Sequence, residues 1–245
     1  MKKLLLILFA IGMFSQAHAQ FSIDVESGLA IPGYNEVRIP NQTGTTFNFT
    51  DDFEAQGPVI PFRLRVGYTF QERNHIFALF APLNISYQGA APFDIAFQGA
   101  NFGAGEAIDG FYKFNSYRLT YRRDIVSTDR WLIGLGFTAK IRDATVRLTS
   151  ETGVSDRKDD IGFVPLLHIF TAYQLPGWTL FLEGDGLAGG PGRAFDFFFG
   201  GKVPIHKNLD FKAGYRILEG GADIDEVYNF TLINFATVGL IWTLR

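Results

Sequence analysis

The stretch Ile60-Pro61-Phe62-Arg63-Leu64-Arg65-Val66-Gly67-Tyr68-Thr69-Phe70 decides the fold. Ile60, Phe62, Leu64, Val66, Tyr68 and Phe70 share one face, and Pro61, Arg63, Arg65, Gly67 and Thr69 share the other. Strict alternation of apolar and polar residues is the period of a β-strand, whose successive side chains point to opposite sides of a sheet. A soluble sandwich buries the apolar face and wets the polar one. A membrane barrel turns the apolar face to lipid and the polar face to its lumen. Alternation fits both.

Working outward, the same period recurs along the chain. The turn Gln71-Glu72-Arg73-Asn74 leads to a partner strand at about His75–Tyr87. Phe111–Ile125 sets Tyr117, Leu119 and Tyr121 against Ser116, Arg118, Thr120 and Arg122. Trp131–Leu148 sets Trp131, Ile133, Leu135, Phe137, Ala139 and Ile141 against Gly134, Gly136, Thr138, Lys140 and Arg142. Ile161–Tyr173, Trp178–Leu187, Phe195–Ile205, Leu209–Ile217 and Tyr228–Leu244 complete the series, and Phe21–Leu29 opens it. The expected architecture is all-β: a closed antiparallel up-and-down transmembrane β-barrel of about ten strands, with eight or twelve as alternatives.

Connection lengths favour the membrane reading. Tight turns are expected at about 71–74, 127–130, 174–177 and 206–208. They alternate with longer or Gly-rich connections at about 30–57, 88–110, 149–160, 188–193 and 219–226. Short periplasmic turns opposite longer outer loops are the habit of outer-membrane barrels. Trp131 and Trp178 follow tight turns, Tyr173 precedes one, and Trp242 lies near the chain end. All four fall at one depth, where amphipathic rings favour a membrane interface.

The first residues read as an export signal. Lys2 and Lys3 are followed by an apolar run from Leu4 to Phe14 and by Ala17-His18-Ala19, a small-x-small cleavage pattern. Residues 1–19 are therefore expected to be removed, leaving 20–245 as the barrel. Without Lys2 and Lys3, the 22 basic residues become 20 against 25 acidic ones. That balance argues against nucleic acid as a partner. The chain has no cysteine and only four histidines, so neither disulfides nor a Cys/His metal cluster is expected. No cofactor is expected.

These features together resemble the small outer-membrane β-barrel proteins of bacteria. The resemblance rests on the signal sequence, the alternation, the loop asymmetry and the final strand Phe235-Ala236-Thr237-Val238-Gly239-Leu240-Ile241-Trp242-Thr243-Leu244-Arg245. It implies a bacterial outer-membrane location, with membrane lipid and the barrel-insertion machinery as partners. Small solutes or an extracellular ligand are further expected partners. Final strands in such proteins usually end in an aromatic residue, whereas here the aromatic is Trp242 and the end is Leu244-Arg245.

The alternation assigns Arg63, Arg65, Arg118, Arg122, Lys140, Arg142, Asp196, Lys202 and Arg216 to the lumen, with His168, Glu183 and Asp185. Charges in so narrow a barrel must pair, and a self-neutralising plug is the plainer expectation. If Tyr173 pairs with Trp178, His168 lies opposite Glu183, which is half of a general-base arrangement. His168, Glu183 and Asp185 are thus the weak candidates for catalysis. Omptin-type proteases place their acidic residues and His–Asp pair near the outer rim, but His168 falls at mid-strand. Lipid A deacylases use His-x-Ser, where this chain has His168-Ile169-Phe170. Gly189-Gly190-Pro191-Gly192-Arg193 lacks the Lys-Ser/Thr of a phosphate loop and reads as a turn. The acidic run from Glu219 to Glu226 matches no calcium loop and reads as solvated. Three functions stay open: a porin-like small pore or surface-binding barrel, an outer-membrane enzyme acting on lipid or peptide, and a soluble periplasmic carrier.

Overall fold

A computed structural model describes residues 20–244. The expected leader 1–19, with its cleavage point after Ala19, and Arg245 lie outside the described residues. Ten strands form a closed ring in chain order. They are β1 (Gln20–Arg38), β2 (Phe62–Phe70), β3 (Asn74–Ala81), β4 (Ala107–Ser127), β5 (Trp131–Ser150), β6 (Ser155–Leu175), β7 (Trp178–Gly189), β8 (Gly192–His206), β9 (Leu209–Ile224) and β10 (Val227–Leu244). Each pairs antiparallel with the next, and β10 closes on β1, from Phe21↔Leu244 to Arg38↔Tyr228. A strand Asn84–Ala90 continues β3 along β4 in unchanged register, Ala81↔Ser116 giving way to Asn84↔Lys113. Pro82, which has no N–H to donate, marks the interruption.

The outward face is an apolar belt. Phe21, Leu29, Leu119, Leu135, Phe137, Ile141, Phe163, Trp178 and Leu240 all leave more than a third of their surface exposed. On β5 the belt runs from Trp131 to Ile141 and on β1 from Phe21 to Ile31, about the 9–11 tilted residues that cross a bilayer. Trp131 packs against Tyr173 with the rings tilted by 57° and their centroids 4.8 Å apart, at the short-turn end. Phe137, 68 % exposed, lies midway along the belt. Replacing it with Arg should cost about 2–4 kcal/mol of unfolding free energy, the depth-dependent cost of a cation on the lipid face. Urea titration in lipid vesicles checks this, and an unchanged midpoint would place Phe137 outside the hydrocarbon.

The strands outrun the membrane. β4 and β6 have 21 residues each and β5 has 20, about twice what a crossing needs. Three of the expected longer connections are therefore mostly strand, leaving only 151–154, 190–191 and 225–226 between consecutive strands. The run from Glu219 is not a solvated loop but strand as far as Ile224. Paired backbone satisfies its own polar groups wherever a hairpin partner is present, so Gly-rich and acidic composition did not stop these ladders. Two connections are long. Residues 39–61 contain a short helix, α1 (Phe49–Asp52), whose first turn is capped by Asn48 Oδ1 accepting from Thr50 N at 3.1 Å. Residues 91–106 contain a hairpin of Ile95–Phe97 with Ala100–Phe102.

Both long connections fold inward. Phe47, Phe49, Phe53, Ile95, Phe97 and Phe102 pack with Tyr87, Tyr112, Ile108, Leu148, Ile233 and Phe235 into one apolar core at the outer end. The Phe49 ring stacks on Tyr87 at 4.7 Å and meets Phe47 edge-on at 5.2 Å. The barrel thus holds two different interiors, apolar in its outer half and ionic in its inner half.

Candidate functional site: an ion-paired lumen beneath an apolar cup

The inner half is crossed by charge pairs between strands that are not neighbours in the ring, and such contacts can run only through the lumen. Asp196 on β8 is the hub. Its Oδ2 accepts from Arg118 Nη2 at 2.6 Å and Arg63 Nη2 at 3.1 Å, and its Oδ1 from Arg216 Nη1 at 2.6 Å. Glu26 on β1 accepts from Arg216 Nε at 2.7 Å and Lys212 Nζ at 2.8 Å. Asp24 joins Lys212 at 2.7 Å to Arg65 at 3.1 Å. Glu183 takes Arg65 at 2.7 Å and faces Arg122 at 3.6 Å. Arg118 Nη1 donates to Asp185 Oδ2 at 2.7 Å. At the inner end Asp124 binds His75 Nε2 at 2.8 Å and Arg122 Nε at 3.1 Å.

The arithmetic is balanced. Asp24, Glu26, Asp124, Glu183, Asp185 and Asp196 meet Arg63, Arg65, Arg118, Arg122, Lys212 and Arg216, six against six. All but Arg63 and Arg65, which are half-buried, are buried. Buried charges are tolerated only when paired and hydrogen-bonded, and planar guanidinium forks suit carboxylates that each serve several donors.

The expected pairing of His168 with Glu183 is corrected. The hairpin turns tightly on Pro176-Gly177, Leu175 opposing Trp178 and His168 opposing Asp185. Gly177 takes φ +84°, which a two-residue turn requires and a side chain resists. His168 Nδ1 lies 2.9 Å from Asp185 Oδ1, which also accepts from Thr138 at 2.6 Å, while Glu183 Oε1 stands 3.6 Å from Nε2. His168 is 4 % exposed, so a substrate would have to displace the plug to reach it.

The lumenal expectations separate into groups. Arg63, Arg65, Arg118, Arg122, Asp196, Arg216, His168, Glu183 and Asp185 are brought together. Lys202 is not among them: it pairs with Asp210 at 3.2 Å near the β8–β9 turn. Arg142 lies above the plug and pairs with Asp160 on β6. Lys140, 2 % exposed, sits over the Phe114 ring at 4.7 Å and makes no ion pair among the described residues. Asp24, Glu26, His75, Asp124 and Lys212 belong to the network without having been singled out in the sequence. The signal was there, since Asp24 and Glu26 alternate with Ile23 and Val25, and Lys212 shares the parity of Arg216.

Outside the membrane, Glu106 joins the two outer hairpins. Its carboxyl is held below its ordinary range by hydrogen bonds from Thr152, Ser150 and the Gly103 N–H. Tyr34 donates to Glu219 at 2.7 Å, and Arg193 donates to the same carboxylate at 2.9 Å.

A closed ring of strands long enough to cross a bilayer, an apolar girdle and a charged interior define a transmembrane β-barrel of the outer-membrane type. One solved structure agrees at the level of the fold, and others are more distantly similar. The outer membrane protease OmpT from Escherichia coli superposes with a TM-score of 0.54 at 10% identity, over 92% of this chain and 97% of that one. Ail, the attachment invasion locus protein of Yersinia pestis, matches at TM-score 0.43 and 14% identity, over 92% and 99%. The COG4313 outer membrane channel from Pseudomonas putida F1 matches at TM-score 0.46 and 10% identity, over 92% and 95%. No protein-family model and no curated protein matches the chain.

Proposed function

We propose that this protein is a sealed outer-membrane barrel that passes no solute along its axis and works by binding through its outer half. The supporting observation is how little room the plug leaves. The cavity among Asp24, Glu26, Arg63, Arg118, Glu183 and Asp196 holds about 40 Å³, and the one beside Pro61, Pro82 and Phe114 about 20 Å³. The larger takes about three waters. Above it the apolar core closes most of the mouth. A porin-like reading would need an aqueous path that these side chains occupy. An enzyme built on His168 would need a nucleophile and access, and the histidine is held by Asp185 inside the plug. On this reading the partners are outer-membrane lipid and a ligand met at the outer side.

Planar-bilayer recording on the purified mature chain tests it. The expected result is no stepwise conductance at any moderate voltage. Reproducible single-channel steps would overturn the sealed reading.

A further inference from the structure

One side of the barrel wall is incomplete. β6 and β7 pair only from Leu175↔Trp178 to Leu167↔Gly186. Above that, β6 runs on from Leu166 to Ser155 with β5 as its sole ladder partner, while β7 ends at Gly189. Pro165, without an N–H, stands just where the pairing stops. An unpaired strand edge at membrane depth is costly unless it lines a cavity.

It does line one. A cavity of about 450 Å³ lies against this edge, walled mostly by apolar atoms. It touches Gly162 and Val164 on the inward face of β6 and also Phe163 on the outward face, which is 68 % exposed. Phe163, Val164 and Pro165 of the unpaired edge line it together with Leu187 and Gly189 of β7, so it occupies the gap where the ladder is missing. Leu187 and Gly189 form the opposite bank. Phe163, opposite Ile141 in the β5–β6 ladder, stands at the upper end of the apolar belt, which puts the window at the outer leaflet.

The cavity floor is cationic. Lys140 lines it, buried and without an ion-pair partner among the described residues. The Nε of Arg142 beside it is buried with no hydrogen-bond acceptor, its guanidinium being tied to Asp160 through Nη2 only. A buried cation lacking a counter-charge is costly, and an anion from outside would supply it. The volume lies in the range of small-molecule sites, roughly 300–1,000 Å³.

We infer that this window is a lateral binding site for a single-chain aliphatic amphiphile with an anionic head, taken from the outer leaflet. The head rests inside against Lys140 and Arg142. The chain lies along Val164 and Leu187 and leads back through the window to lipid. The inference deepens the sealed-barrel reading and rests on it, since it names what the outer half binds.

The test uses the full mature chain in phosphatidylcholine vesicles, with dansyl-undecanoate as the fluorescent probe. Sodium dodecanoate, dodecyl phosphate and dodecanol serve as competitors. Saturable binding is expected, with the two anions competing and separating a carboxylate from a phosphate head, and dodecanol competing at least tenfold less well. Lys140→Met should weaken probe binding tenfold or more while leaving dodecanol unaffected. Gly189→Phe should weaken both, because no atom lies within 4 Å of a Cβ placed there and the ring is free to fill the window. Heat-modifiable gel mobility confirms that each variant has folded, and Lys140→Gln replaces Lys140→Met if the latter has not. Undiminished binding by the Lys140 variant removes the anionic head from the proposal, and undiminished binding by Gly189→Phe removes the lateral route. Silent bilayers without saturable binding overturn the inference and leave the sealed barrel standing, whereas conductance steps overturn the sealed barrel itself.

Discussion

Replacing Asp196 with Ala should destabilise the barrel by about 3–5 kcal/mol, the cost of breaking a buried ion pair by deleting one partner. Asp196 is 2 % exposed and receives Arg63, Arg118 and Arg216. Its removal strips one guanidinium of its best carboxylate and weakens the other two. Arg216 keeps Glu26 and Arg118 keeps Asp185, but Arg63 is left only the 3.7 Å contact with Glu26. The loss therefore arises mainly from uncompensated positive charge. Two comparisons make the reading specific. Arg157→Ala removes the partner of Asp159, the two side chains being 67 % and 48 % exposed, and should cost only about 0–1 kcal/mol by the usual worth of solvated pairs. The double variant Asp196→Ala with Arg63→Met should lose clearly less than the two single losses added together, since contacting residues are not additive. Urea titration in lipid vesicles gives all four values. A loss under about 1 kcal/mol for Asp196→Ala would mean that the plug readily admits water, and the sealed lumen would then lose its main support.

The same residues show what was legible in the sequence. Period-two alternation from Ile60 to Phe70 and from Trp131 to Ile141 identifies two-faced strands, because one residue step exchanges their two environments, and the alternation of short and long connections favours the membrane reading. Strand ends were less legible. A ladder continues wherever a partner is present, so Gly220-Gly221 in β9 and the charged run Arg157-Lys158-Asp159-Asp160 in β6 are strand despite their composition. Register across a hairpin turns on a single choice. Reading Gln174–Gly177 as a four-residue turn opposes His168 to Glu183, while the two-residue turn at Pro176-Gly177 opposes it to Asp185. The ionic hub at Asp196 brings β2 and β4 to the β8–β9 hairpin from far away in the chain, which no local pattern announces. The apolar cup was hidden for a related reason. Phe47, Phe49, Phe97 and Phe102 follow no strand period, and their burial comes from two loops meeting inside the ring. The window between β6 and β7 is invisible to alternation, since it is the absence of a pairing.

The cup and the ring should also come apart in stability, and Phe49→Ala is the substitution that shows it. Phe49 is 0 % exposed, and its ring lies between Tyr87, Phe47 and the backbone of β4. A Cβ at Gly110 would come 2.4 Å from the Phe49 Cε1, so the strand gives up a side chain there to let the ring approach. Truncating a buried Phe costs about 3–5 kcal/mol, through lost transfer energy and the cavity left behind. That cost need not fall on the barrel, because no ladder bond of the ring passes through α1. It falls instead on the docking of residues 39–61, a loop tied to β1 through Val37↔Phe47 and to the strand Asn84–Ala90 through Glu54↔Gln88. Local opening with a lower free energy than global unfolding is the expected behaviour of such a segment. Hydrogen exchange at residues 45–56 should accelerate about a hundredfold or more, and Glu-C cleavage after the exposed Glu54 should appear in the variant. The urea midpoint of the whole barrel should stay within error of the parent. A fall in that midpoint by the full amount, with the loop still protected, would show the cup and the ring to be one cooperative unit. The inward-folded loops would then belong to the barrel's core rather than to a separable closure above the ion-paired lumen.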